Sequence, residues 1–209
     1  MNHKKTVFYQ SMLLLVKLVM RTFFGLSTSH IEGRENIPST GGFLFASNHA
    51  SYLDPPLLAV ASPRQIGFVA KIELFSNPLF GWCIRNLGAH PINRDTGARG
   101  AMKTAVELLG KDWALVIFPE GTRSLDGNMA TLKMGTAMVA MKARVPIIPV
   151  YIKGSYAAWP KGGKPRPEKI SIRIGEPIQT EGLEDSKKTL REITDKLEVK
   201  LKKLEEELS

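Results

Sequence analysis

Residues 47–56 read S-N-H-A-S-Y-L-D-P-P, with His49 five positions before Asp54 and Ser51 and Tyr52 between them. An imidazole titrates near pH ~6.5 in water and so takes up a proton close to neutrality. A carboxylate that accepts its other ring N–H fixes the tautomer and stabilises the imidazolium as it forms. If the loop folds back so that Asp54 faces His49, the two make a general base. The same residues also fit a reading without chemistry. Asp54 before Pro55 is a good helix cap, with proline at the first helical position, and His49 could simply satisfy a loop hydrogen bond. No third ligand stands at a metal-binding spacing, so no metal is expected. Ser51 lacks the G-x-S-x-G context of a nucleophile elbow and reads as a turn residue.

A second constellation is F-P-E-G-T-R-S at 118–124, directly after the apolar run W-A-L-V-I-F. Proline stops the strand and Gly121 lets the backbone turn. The N–H groups around Gly121 and Thr122, the Thr122 hydroxyl and the Arg123 guanidinium can converge on an anion. The alternative is a turn carrying an exposed pair of Glu120 and Arg123. Lys71, after I-G-F-V-A, and Arg94, in L-G-A-H-P-I-N-R, lie between the two constellations. Each alone is an ordinary solvated charge. Two cations in loops flanking a core histidine point to a phosphate pocket.

These residues need elements to hold them. Gly-bounded F-L-F-A-S reads as a buried strand running into His49, and D-P-P-L-L-A-V-A as a helix starting near Asp54. Further strands are expected at 66–70, 112–119 and 168–175, and helices at 78–87, 97–109 and 132–142. V-P-I-I-P-V-Y-I at 145–152 is β-like but carries two prolines, which places it at a sheet edge or a bulge. Leu190, Ile193, Leu197, Leu201, Leu204 and Leu208 recur at three- and four-residue steps, an amphipathic helix for the body of the domain. Alternating strands and helices indicate an α/β fold. The expected form is a single domain with a mixed, largely parallel sheet flanked by helices. At 209 residues one domain is the default, here residues 30–209.

Residues 1–29 read differently. T-V-F-Y-Q-S-M-L-L-L-V-K-L-V-M-R-T-F-F is apolar except for a stripe that helical spacing makes of His3, Gln10, Lys17 and Arg21. An apolar helix with a basic stripe suits a membrane interface with its cations near anionic headgroups. A helix packed on the core and a true span are the alternatives. The one cysteine, Cys83, lies in an apolar helix and excludes an intrachain disulfide, in keeping with a reducing compartment. The net charge of +9 suits nucleic acid, an anionic membrane or an anionic substrate. No basic run is interleaved with regularly spaced aromatics, so no nucleic-acid partner is expected.

Taken in order, the blocks carry a resemblance. S-N-H-A-S-Y-L-D resembles the N-H-x-x-x-x-D motif of the glycerolipid acyltransferases. K-I-E-L-F-S-N-P-L-F-G-W through to Arg94 is similar to their second block, F-P-E-G-T-R-S to their third and V-P-I-I-P-V to their fourth, over roughly residues 30 to 155. The third block resembles the version found in enzymes acting on 1-acylglycerol 3-phosphate. The resemblance implies transfer of an acyl chain from an acyl-CoA or acyl carrier protein thioester to the 2-hydroxyl of lysophosphatidate, with no cofactor. His49 would be the base and Asp54 its orienting group. Arg94 and Arg123 would take the acceptor's phosphate. Lys71 would assist there or offer its backbone N–H to the oxyanion, and Glu120, Gly121 and Thr122 would order the third block or touch the glycerol. It also implies work at the cytoplasmic face of the inner membrane. Acylation of another lysophospholipid, or hydrolysis of a thioester or lipid by the same pair, are the rival chemistries.

Overall fold

The computed structural model describes residues 7–24, 30–92 and 97–208. Among these, the strands are β1 (Ile31–Glu32), β2 (Phe43–Ser47), β3 (Ile66–Lys71), β4 (Ala89–Ile92), β5 (Ala114–Ile117), β6 (Ile147–Lys153) and β7 (Ser171–Ile174). They form one sheet in the order β1-β7-β6-β2-β5-β3-β4. From β6 to β4 all neighbours run parallel; β7 pairs antiparallel with β6 and carries β1 parallel to itself. The fold is therefore a mixed, mostly parallel α/β sheet, as the alternation of elements predicts.

The helices are α1 (Val7–Phe24), α2 (Asp54–Ala61), α3 (Pro78–Asn86), α4 (Gly97–Leu109), α5 (Gly135–Ala143), α6 (Ser155–Ala158) and α7 (Lys187–Glu207). They cover both sheet faces. β2 is fully buried, and its F-L-F-A-S run is what a strand covered on both sides requires. Phe43 and Phe45 point to one layer, with Leu57 and Leu58 of α2 and Leu13 of α1. Leu44 and Ala46 point to the other, with Leu109 of α4, Ala140 of α5 and Leu197 of α7. This is the period-two alternation of a strand set between two helical layers.

α1 packs on α2 through Tyr9, Leu13, Met20 and Phe24. Burial pushes the Tyr9 phenol up to about 12. The rest of its circumference is open: Val7 is 80% exposed, Leu14 69% and Leu18 57%. Gln10, Lys17 and Arg21 are exposed alongside them; His3 lies outside the described residues. By length and composition the helix is long and apolar enough to cross a membrane.

The structure corrects several details of the sequence reading. The two-proline run holds β6, which contains Pro149 while Pro146 precedes it, and β6 sits inside the sheet between β2 and β7 rather than at an edge. The Pro149 carbonyl accepts Gly175 N–H just past the last residue of β7. Its ring nitrogen lies on the same flank, one residue beyond the last paired residue of β7, so the missing donor falls at the margin of that ladder. β5 starts only at Ala114, because Asp112 takes a left-handed turn at φ 63°. β1, β4 and the single turn of α6 are too short to register as periodic patterns. β4 contains Pro91 and lies at the sheet edge, where proline is tolerated.

Candidate active site

The carboxyl ends of β2, β3 and β5 open on a cavity of about 680 Å³ lined by His49, Val69, Phe118, Gly121, Arg123 and Lys133, among others. In parallel α/β sheets this end collects the loops that bind ligands. After Ser47 the chain leaves the ladder, and the Asn48 side chain takes over its bonding. Its amide donates to Ile152 C=O at 3.0 Å and its oxygen accepts Ile152 N–H at 2.8 Å. The next residue, His49, is thereby delivered to the cavity from a fixed point on β6.

The F-P-E-G-T-R-S block then holds His49 by three routes. Glu120 Oε1 accepts His49 N–H at 2.7 Å. Ser124 N–H donates to His49 C=O at 2.7 Å. The Phe118 ring stacks on the imidazole with centroids 3.8 Å apart and planes 14° from parallel. Both peptide groups and one ring face are fixed before Asp54 contributes anything. Glu120 is 3% exposed, and its other oxygen accepts Ala130 N–H at 2.8 Å. Burial pushes the Glu120 carboxyl above the usual carboxylate range, while the Ala130 and His49 N–H groups pull it back. Glutamine there keeps the shape but leaves one N–H facing an amide NH₂. Glu120→Gln should cost about 1.5–3 kcal/mol of stability, seen as a lower thermal midpoint and slower turnover. An unchanged midpoint would remove Glu120 as the strut under His49.

Asp54 Oδ2 lies 2.9 Å from His49 Nδ1 and is fully buried. Nδ1 is thus engaged, and Nε2 is the ring nitrogen left to exchange a proton. Asp54 is not the helix cap its position suggests. Leu53 holds that place, and no side chain caps α2. Oδ2 instead accepts Ala50 N–H and Ser51 N–H, each at 2.8 Å. Three donors converge on one oxygen and turn the carboxylate back toward the imidazole. Ser51 Oγ donates to Trp159 C=O at 2.7 Å and accepts Leu53 N–H at 3.1 Å, so it serves the turn.

Arg123 is a cation the structure brings into the same cavity as this pair. Its Cζ sits 3.6 Å over the Tyr52 ring, a cation–π contact supplied by the histidine loop itself. Its Nη1 is buried with no hydrogen-bond partner among the described residues. A buried donor left unpaired costs free energy, and an anion in the cavity relieves that cost. Gly121 takes φ +75°, and a Cβ there would lie 2.6 Å from Lys133 Nζ. Glycine both makes the turn and leaves room for the lysine. The Gly121 N–H donates to Phe118 C=O at 3.0 Å, closing the turn and not facing the cavity. Thr122 is exposed at the rim. Lys71 ends β3 opposite Ile92, but its side chain lies outside the described residues, as does all of Arg94.

Sequence reasoning missed Lys133, Phe118 and Asn48 as parts of the site. Only Asn48 and Phe118 carried a local signal, as the neighbours of the two motifs. Among the described residues no cluster of metal-ligating side chains occurs. Cys83 is half-buried on α3, and His90 meets Trp113 edge to face at 4.8 Å.

Comparison with known proteins finds a family and several relatives. The family model described as Acyltransferase matches residues 28–153. A 1-acyl-sn-glycerol-3-phosphate acyltransferase of Streptococcus pneumoniae is 32% identical over 99% of this chain and 78% of its own length. One from Bacillus subtilis is 31% identical over 85% of this chain and 88% of its own. The crystal structure of the 1-acyl-sn-glycerophosphate (LPA) acyltransferase PlsC from Thermotoga maritima superposes with a TM-score of 0.77 at 31% identity, covering 96% of this chain and 80% of that one. With the family model spanning more than half of its length, the chain belongs to the acyltransferase family.

Proposed function

We propose that the protein transfers an acyl chain from a thioester to the 2-hydroxyl of 1-acylglycerol 3-phosphate, giving phosphatidate. The observation that carries this reading is one cavity lined by both His49, backed by Asp54, and Arg123, whose buried Nη1 has no hydrogen-bond partner among the described residues. A hydrolase that uses water has no need of a half-buried guanidinium with a donor left open to an anion. The names of the relatives support the same acceptor.

His49 Nε2 takes the proton of the 2-hydroxyl as that oxygen attacks the thioester carbonyl carbon. The tetrahedral intermediate collapses, the carbon–sulfur bond breaks, and the imidazolium returns the proton to the leaving thiolate. Asp54 keeps Nε2 unprotonated at the start and stabilises the cation in between. Arg123 grips the acceptor's phosphate, where a guanidinium offers two donors in a fixed fork. Lys133 lines the same cavity, and the resemblance assigns Arg94 and Lys71 to the phosphate as well. No cofactor enters the scheme.

The acceptor lies in a bilayer, and the exposed Leu, Val and Phe side chains of α1 beside Lys17 and Arg21 suit an anionic surface. In this proposal α1 holds the cavity at headgroup level on the cytoplasmic side of the inner membrane. Burying a leucine contributes about 1.5–3 kcal/mol. Leu14→Asp/Leu18→Asp should therefore weaken binding to anionic vesicles at least about 100-fold, read by co-sedimentation. Unchanged binding would dismiss α1 as the contact.

The test of the function is a product assay with purified protein, lysophosphatidate in vesicles and an acyl thioester. Phosphatidate is the expected product. Free fatty acid as the sole product would make the protein a hydrolase, and preferential use of another lysolipid would change the acceptor.

A further inference from the structure

A groove of about 460 Å³ runs between α4 and α5, outside the catalytic cavity, and the acyl-transfer reading leaves it unused. Its floor is Met102, Val106 and Met138, and its rim carries Arg99, Lys103 and Lys142. Glu107, the one acid there, is engaged by Lys103 at 4.0 Å. Arg99 and Lys142 are exposed and form no ion pair with any described residue. Met102 belongs to both spaces: Ala98, Ala101 and Met102 of α4 face the cavity, and Arg99, Met102 and Lys103 face the groove. The groove and the cavity are therefore adjoining faces of one helix.

We propose that this groove seats the nucleotide end of a coenzyme A thioester, with Arg99 and Lys142 on its phosphates and the apolar floor under its purine. The thioester arm then passes Met102 into the cavity, which brings the carbonyl to His49. The inference rests on the acyl-transfer reading and specifies the donor that reading leaves open. Three observations support it. An apolar floor with cations on its rim is the complement of a flat heterocycle bearing several phosphates. A concave space of a few hundred Å³ suits a small molecule and not the convex surface of a carrier protein. α4 and α5 cover the sheet face opposite α1 and α2, so the groove stays open to water while α1 lies on a membrane.

The test is Arg99→Glu/Lys142→Glu, two exposed positions, compared with wild type on two donors. One is acyl-coenzyme A and the other is the acyl thioester of N-acetylcysteamine, which has no phosphate. The KM for acyl-coenzyme A should rise at least tenfold, with kcat at saturating donor and the KM for lysophosphatidate held. Turnover of the short thioester should match wild type. Calorimetric titration with coenzyme A alone should show the same loss of affinity, independent of turnover. Equal loss on both donors, no loss on either, or loss only with a donor borne on acyl carrier protein would each overturn the groove. Wild type that forms no phosphatidate from any thioester would instead sink the acyl-transfer reading itself.

Discussion

His49→Ala should lower kcat for acyl transfer by about 10²–10⁴, while the KM for lysophosphatidate stays near that of the wild type. Removal of a positioned general base costs about 10²–10⁴, and among the described residues no carboxylate lines the cavity to replace Nε2. The neighbouring carboxylates are both committed: Asp54 to the imidazole and two amides, Glu120 to the His49 and Ala130 amides. The variant should still fold. Glu120 and Ser124 hold residue 49 through its peptide groups, which alanine keeps. What is lost structurally is the stack on Phe118, worth about 0.5–1.5 kcal/mol as an aromatic pair. Arg123 is held by Tyr52 and not by the imidazole, so acceptor binding survives. Steady-state kinetics and a thermal melt decide the matter. A variant within tenfold of wild type would remove His49 from the chemistry.

The sequence made legible those features whose cause is local. β2 and the centre of β5 read correctly because buried parallel strands are continuous apolar runs. α7 read correctly because its buried leucines repeat at helical spacing. The His49–Asp54 spacing and the third block were visible as motifs, and the structure brings them into contact. What stayed hidden depends on partners distant in the chain. Asp-Pro looks like a cap by local propensity, yet the amides of Ala50 and Ser51 and the imidazole outbid the start of α2. Pro149 looks like an edge residue until it is known that β7 stops short of it. Lys133 comes from a loop nine residues beyond the end of the block it faces, and the glycine at 121 leaves it space. Asn48 is a spacer in sequence and a backbone clamp on Ile152 in the fold.

Asp54→Asn should separate the two tasks of that carboxylate. A single oxygen, Oδ2, takes all three donors: His49 Nδ1, Ala50 N–H and Ser51 N–H. The amide oxygen of asparagine fits that place, and the reverse orientation would set an NH₂ against three donors. The turn and the imidazole tautomer are therefore expected to survive, and only the charge is lost. Two unit charges about 4 Å apart interact by about 4 kcal/mol at an effective dielectric near 20. Removing one should cost about 10²–10³ in kcat, because the imidazolium exists only in the transition state and after it. The new NH₂ is buried without an acceptor, which should lower stability by about 1–3 kcal/mol. Asp54→Ala, by contrast, strands all three donors and should lose activity and fold stability together. If Asp54→Asn kept wild-type kcat while Asp54→Ala melted early, the carboxylate would be a turn-former and the proton would need another home.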